Sequence, residues 1–87
     1  VWYIYVLRCA DDSFYVGETD DVGQRVSRHN EGRGSSFTAT RRPVRLVFTE
    51  LHESRDQALV RERQLKRWTR AKKEALISGN QAGLKDA

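Results

Sequence analysis

Tyr5, Tyr15, Arg25, His29 and Glu62 are the residues of this 87-residue chain whose types suit work on an anion in water. Two phenols can hydrogen-bond a reacting oxygen. A guanidinium clamps a phosphate or carboxylate through its planar fork of donors. An imidazole gains and loses a proton near neutrality. A carboxylate set among apolar helix positions has to be paired with a cation or bind a metal ion. None of these is informative alone: a strand tyrosine is usually an aromatic packing residue, and a single helical histidine is usually a solvated side chain. The reading rests on whether the elements that carry them bring them to one place.

Strand parity supplies the first part of that answer. Side chains alternate faces along a strand, so Tyr3, Tyr5 and Leu7 share one face while Trp2, Ile4 and Val6 share the other. In the next segment Phe14 and Val16 form the matching apolar set. If the two segments pair odd with odd as a hairpin, Tyr15 and Gly17 fall on the face of Tyr5. Cys9-Ala10-Asp11-Asp12-Ser13 supplies the turn between them, and Gly17 leaves room for a close approach.

Helix signals supply the second part. Asp21 and Gln24 have the spacing of a capping box, which predicts a helix over Asp21–Glu31 stopped at Asn30-Glu31-Gly32. Val22 and Val26 mark its buried stripe. Arg25 and His29, four residues apart, lie one turn apart on a neighbouring face and can serve the same point. Ser54 and Gln57 repeat the cap, opening a helix over Arg55–Arg67 with Ala58, Leu59, Leu65 and Trp68 as its apolar positions. Glu62 falls inside that stripe. It is expected either to pair with an arginine such as Arg25 or to bind a divalent ion, since Mg²⁺ commonly uses one or two carboxylates and keeps water or phosphate oxygens elsewhere.

These residues together resemble the GIY-YIG nuclease superfamily, and the chain is similar to a small stand-alone member. Tyr3-Ile4-Tyr5 stands for the first motif and Tyr15-Val16-Gly17 for the second. Arg25, His29 and Glu62 match the helix-borne positions, and the likeness runs from Trp2 to about Ile77. Its detail includes Phe37-Thr38, Arg42-Pro43-Val44, and Glu62 to Trp68 followed by Arg70-Ala71-Lys72-Lys73. Tyr3 departs from the glycine of the family name. Asn80 is a candidate counterpart of an asparagine that some members carry late in the domain.

The resemblance implies a metal-dependent endonuclease that hydrolyses nucleic-acid phosphodiesters. It makes Tyr5, Tyr15, Arg25, His29 and Glu62 catalytic, with Glu62 the metal ligand for Mg²⁺ or Mn²⁺. Glu62 would hold one ion, Arg25 would clamp the phosphate, Tyr5 would orient and deprotonate water, Tyr15 would hydrogen-bond the phosphate or water, and His29 would accept or relay a proton. A free phenol titrates near 10, so Tyr5 as a base is expected to need a cation beside it, from His29, Arg25 or the metal.

Composition agrees with a single small domain over residues 1–78 and a tail over 79–87. At 38% hydrophobic content with no long apolar run, the chain is not expected to span a membrane. One cysteine excludes an intramolecular disulfide, one Cys and two His offer no zinc spacing, and a cytoplasmic setting is expected. Lys and Arg outnumber Asp and Glu by 16 to 12, a net charge of +4, and the excess is crowded between Arg61 and Lys73. That crowding points to a polyanion or else to an ordinary solvated helix face.

The stretch Asn30 to Pro43 reads as a long basic loop, functional or disordered. Its Phe37 is expected either to stack on an unpaired base or to anchor the loop to the core. Arg33, Phe37, Arg41, Arg42, Lys66, Arg67, Arg70 and Lys73 are therefore candidate nucleic-acid contacts. With no appended module to read duplex sequence, single-stranded or branched DNA is the favoured substrate and RNA an alternative. The two rival readings are a basic nucleic-acid-binding module with an inactive site and a subunit that docks on an acidic protein partner. The expected architecture is α+β: strands over Trp2–Arg8, Phe14–Glu18 and Arg45–Leu51 in a mainly antiparallel three-stranded sheet flanked by three helices, the third over Arg70–Ser78, all packed on the even face.

Overall fold

A computed structural model describes residues 1–79 and resolves the chain into seven elements. These are β1 (Trp2–Arg8), β2 (Phe14–Thr19), α1 (Val22–Asn30), α2 (Ser36–Ala39), β3 (Arg45–His52), α3 (Arg55–Arg67) and α4 (Arg70–Ser78). The strands form one antiparallel sheet in the order β2-β1-β3. Tyr5 lies opposite Gly17 and Leu7 opposite Tyr15, so odd residues do pair with odd. The register follows from the hairpin: Cys9 N–H donates to Ser13 O at 2.8 Å, and Asp12 takes the left-handed conformation that a short polar side chain tolerates in a turn.

Each long helix begins on a side chain that accepts from a free backbone N–H of its first turn. Asp21 accepts from Gln24 N–H at 3.1 Å, Ser54 from Gln57 N–H at 3.2 Å and Thr69 from Lys72 N–H at 3.3 Å. Gly79 closes α4 in the left-handed region that glycine adopts without a Cβ penalty.

Helices cover both faces of the sheet, not the even face alone. On the even face Ile4, Val6 and Val16 pack with Ala58 and Leu65 of α3 and Leu76 of α4. On the odd face Tyr5, Leu7, Cys9 and Val44 pack with Tyr15 and with Val22 and Val26 of α1. The reason is visible in β1, where Ile4 through Leu7 are all buried. A central strand with large side chains on both sides exposes apolar surface unless both sides are covered.

The segment expected as a long loop is pinned and contains a fourth helix. Ser35 caps α2 by accepting from Thr38 N–H at 3.0 Å. The Asn30 side chain ties the end of α1 to the start of β3, accepting from Val44 N–H at 2.7 Å and donating to Val44 O at 3.0 Å. Arg42 donates to Ala39 O and Asn30 O. Asn80 lies outside the described residues.

Candidate active site

Tyr5 stands at the centre of the odd face because β1 is the middle strand and because its neighbour on β2 has no side chain. A Cβ at Gly17 would fall inside the Tyr5 ring and its hydroxyl, so the second-motif glycine sets the position of the first-motif tyrosine. Tyr15, one step along β2 and two residues away in register, brings its ring to 6.4 Å from that of Tyr5.

From above, α1 delivers His29. Val22 and Val26 turn the helix onto the sheet, and three residues beyond Val26 the same face presents the imidazole. His29 is fully buried, with Nε2 2.9 Å from the Tyr5 hydroxyl and its ring 5.0 Å from that of Tyr15. Its Nδ1 lies 2.6 Å from Thr38 Oγ1, also fully buried. A hydrogen-bonded chain thus runs Tyr5–His29–Thr38–Ser35 through the interior, the last link being 2.9 Å.

The electrostatics of the pair oppose one expectation. Burial pushes the Tyr5 phenol well above the ordinary range; Tyr15 and Glu62 push it further, while Arg25 pulls it down by its charge and a side-chain hydrogen bond. Burial, followed by Arg25 and Arg28, holds His29 below its usual value. His29 is therefore a neutral imidazole at pH 7 and not the cation expected to turn Tyr5 into a phenolate. A neutral phenol faces a neutral ring, an arrangement suited to passing a proton rather than storing a charge.

Arg25 is half-buried on α1 and its charge reaches both Tyr5 and His29. Glu62 comes from the other side of the sheet, on the flank of α3 that faces β2, where Arg55 also meets Glu18 at 3.6 Å. Its side chain is 17% exposed and its ion-pair partner is Lys66 at 3.7 Å, one turn along, rather than Arg25. The carboxylate is nonetheless near enough to raise the Tyr5 phenol. The other four candidate residues thus gather about Tyr5: His29 by a hydrogen bond to its hydroxyl, Tyr15 by its ring, Arg25 and Glu62 by charge.

The basic candidates divide. Arg41 pairs with Asp11 at 3.0 Å and lies 3.9 Å over the Phe37 ring, which also stacks on Tyr15 at a centroid distance of 6.1 Å. Phe37 thereby ties its loop to Tyr15 while remaining 36% exposed. Arg42 is held by carbonyl oxygens, Arg70 by Asp12 and Glu74, and Arg33 by Glu31. Arg67 and Lys73 have no ion-pair partner among the described residues, and Lys66 has only Glu62. His52 and Glu53, unassigned from sequence, are structural: His52 meets Glu50, which Arg61 ties to α3 at 2.9 Å, and Glu53 N–H donates to Gln57.

Sequence reasoning missed Gly34 and Ser35 as parts of the site and noted Thr38 only within the resemblance. The signal available was a glycine and two hydroxyls within nine residues of a histidine. A Cβ at Gly34 would overlap the His29 ring, so this glycine does for His29 what Gly17 does for Tyr5.

The GIY-YIG catalytic domain family matches residues 1–75. The chain belongs to the GIY-YIG family. Within it, the chain is similar to UPF0213 proteins from Staphylococcus aureus strains Mu50 and N315, each 45% identical over 75 residues that cover 86% of this chain and 92% of theirs. The solution NMR structure of a UPF0213 protein from Bacillus halodurans superimposes with a TM-score of 0.58 at 42% identity, covering 88% of this chain and 82% of that one. The GIY-YIG assignment carries a nuclease-type function. No helix among the described residues is long and apolar enough to cross a membrane.

Proposed function

We propose that this GIY-YIG domain is a divalent-metal-dependent endonuclease that hydrolyses DNA phosphodiester bonds, with Tyr5, Tyr15, Arg25, His29 and Glu62 as its catalytic residues. The observation that carries the reading is the gathering of a second phenol, a neutral imidazole, a guanidinium and a carboxylate about Tyr5.

The donor chemistry fits one kind of metal. Glu62 is a single carboxylate, and no group of three His, Cys, Asp or Glu side chains able to hold an ion occurs among the described residues. That suits Mg²⁺ or Mn²⁺, which bind through few carboxylates, and does not suit zinc, which needs three or four N or S ligands. Held by Glu62, such an ion would offset the negative charge that develops on the phosphate and leaving oxygen.

The chain's own residues account for the proton. Tyr5 takes a proton from the attacking water on its oxygen while its own passes to His29 Nε2, 2.9 Å away. The water oxygen bonds to phosphorus, the bond to the 3′ oxygen breaks, and the leaving oxygen is protonated from solvent. Arg25 donates to the non-bridging phosphate oxygens and Tyr15 hydrogen-bonds the phosphate or the water. Lys66, Arg67 and Lys73 supply phosphate contacts along the nucleic acid, and single-stranded or branched DNA is the favoured substrate.

The test is cleavage of end-labelled single-stranded, duplex and branched DNA with Mg²⁺, Mn²⁺ or chelator, for the native chain and a folded Glu62→Ala variant. Metal-dependent cutting that falls at least ~100-fold in the variant is expected. Binding without cutting under every condition would overturn the nuclease reading in favour of a nucleic-acid-binding module.

A further inference from the structure

The Tyr5–His29 pair works in one direction only if the imidazole presents a lone pair, not a hydrogen, to the phenol. Neutral imidazole has one donor and one acceptor nitrogen, and the partner of the distant nitrogen decides which is which. The inventory of hydrogen-bonding groups around His29 allows that choice to be read.

Consider first Nε2 carrying the hydrogen. It would donate to Tyr5 Oη, which would then act as an acceptor. The Tyr5 O–H would then need another acceptor, and His29 Nε2 is the one acceptor within hydrogen-bonding distance of it among the described residues. A buried hydroxyl with an unused hydrogen loses its hydration with nothing in return.

Now place the hydrogen on Nδ1. Tyr5 donates to Nε2 at 2.9 Å. Nδ1–H donates to Thr38 Oγ1 at 2.6 Å. The Thr38 hydroxyl in turn donates to Ser35, whose Oγ lies at 2.9 Å and whose carbonyl oxygen lies at 3.4 Å. Ser35 Oγ also accepts from Thr38 N–H. Each hydrogen from Tyr5 through His29 to Thr38 then has an acceptor, and no buried side-chain oxygen or nitrogen of the described residues lacks a partner.

We infer that Thr38, seated by Ser35 and given access by Gly34, is a positioning residue that fixes His29 as the Nδ1–H tautomer, so that Nε2 is the acceptor for the Tyr5 proton. Gly34 belongs to this assembly because any side chain there would displace the imidazole from Thr38. Thr38 touches no reacting atom and acts through His29. Its position nine residues along the chain, on a one-turn helix whose cap is Ser35, makes segment 34–38 a cradle for one ring.

The inference rests on the proton-relay reading above, and its test separates the two. Long-range ¹H–¹⁵N NMR of the full chain at pH 7 reports the tautomer of His29 with no substrate present. The native chain is expected to show protonated Nδ1 and unprotonated Nε2, and Thr38→Ser to show the same. In Thr38→Val, which keeps the shape but loses the acceptor, the Nδ1–H form should lose its dominance. Cleavage should fall about 100-fold in Thr38→Val and return to within about threefold in Thr38→Ser, as for loss and rescue of an oriented proton acceptor. A native His29 protonated on Nε2 would overturn the inference even if Thr38→Val fails to fold. So would a Thr38→Val chain that folds and keeps the native tautomer. The expected tautomers in a native chain that cuts no DNA would uphold the positioning role and defeat the relay.

Discussion

On the even face of the sheet Ile4, Val6 and Val16 are closed over by Ala58, Leu65 and Leu76, and no member of that buried cluster titrates. On the odd face the same central strand contributes Tyr5 and Leu7, but the helix above adds His29 and the next turn adds Thr38. Both faces are buried, and they differ in what burial accomplishes. Between apolar groups it yields stability. Between a phenol and an imidazole it keeps both neutral and leaves them joined by a hydrogen bond of 2.9 Å. Glu62 links the two faces: α3 packs on the even side, yet its flank carries a carboxylate whose charge is felt at Tyr5.

The comparison is most easily broken by truncating each face in turn. Leu65→Ala should destabilise the fold by about 2–5 kcal/mol, a large share of a typical ~5–15 kcal/mol total, while molecules that remain folded cleave at the native rate. Denaturant unfolding and single-turnover cleavage on the same sample check both halves. Arg25→Ala should do the reverse: a loss of ~100-fold or more in cleavage with a small change in unfolding midpoint, since the side chain is half-buried and has no ion-pair partner among the described residues. A Leu65→Ala protein with a specific catalytic defect would show that the faces are not separable.

Much of this division was legible in the chain. The odd parity of Tyr5, Tyr15 and Gly17 fixed their common face, and the caps at Asp21 and Ser54 located two helices. The placement of α1 was misread because Tyr3 and Tyr5 made the odd face look polar, although Leu7 and Cys9 also needed cover. Thr38 and Gly34 went unassigned for a different reason. Their contact with His29 depends on the path of segment 31–43, which is set by Asn30 bridging to Val44 and by Arg41 stacking on Phe37. No local periodicity encodes such tertiary contacts. Glu62 was expected to pair with Arg25 or to bind a metal; among the described residues its ion-pair partner is Lys66, one turn away, a contact that helical spacing alone allows.

Acid sharpens the contrast. His29 has its folded pKa lowered from 6.5, chiefly by burial, so the unfolded chain binds the extra proton first as pH falls. The stability that neutral His29 contributes is complete above 6.5 and is lost as pH drops below it toward the folded value. Replacing His29 with Gln should flatten unfolding free energy against pH in that window. Cleavage in the native chain should fall in the same direction, because a protonated Nε2 cannot accept from Tyr5.

The smallest effects belong to the outer charges. Lys73→Gln should weaken DNA binding a fewfold without altering the single-turnover rate at saturation, and it should lower the slope of log affinity against log salt by about 1. Arg42→Gln should instead lower stability, since its guanidinium holds Ala39 O and Asn30 O. Salt-titrated binding and thermal melts of both variants distinguish a contact to phosphate from one to the fold.

The central claim is that Tyr5, packed like a core residue, is the group through which the reaction's proton passes. The direct measurement is the single-turnover cleavage rate of Tyr5→Phe against the native chain across pH, with thermal melts of both. A loss of ~100-fold or more at every pH, with a stability change of only about 1 kcal/mol, is the predicted result. A folded Tyr5→Phe protein that cuts at the native rate would contradict it, leaving the odd face a second core.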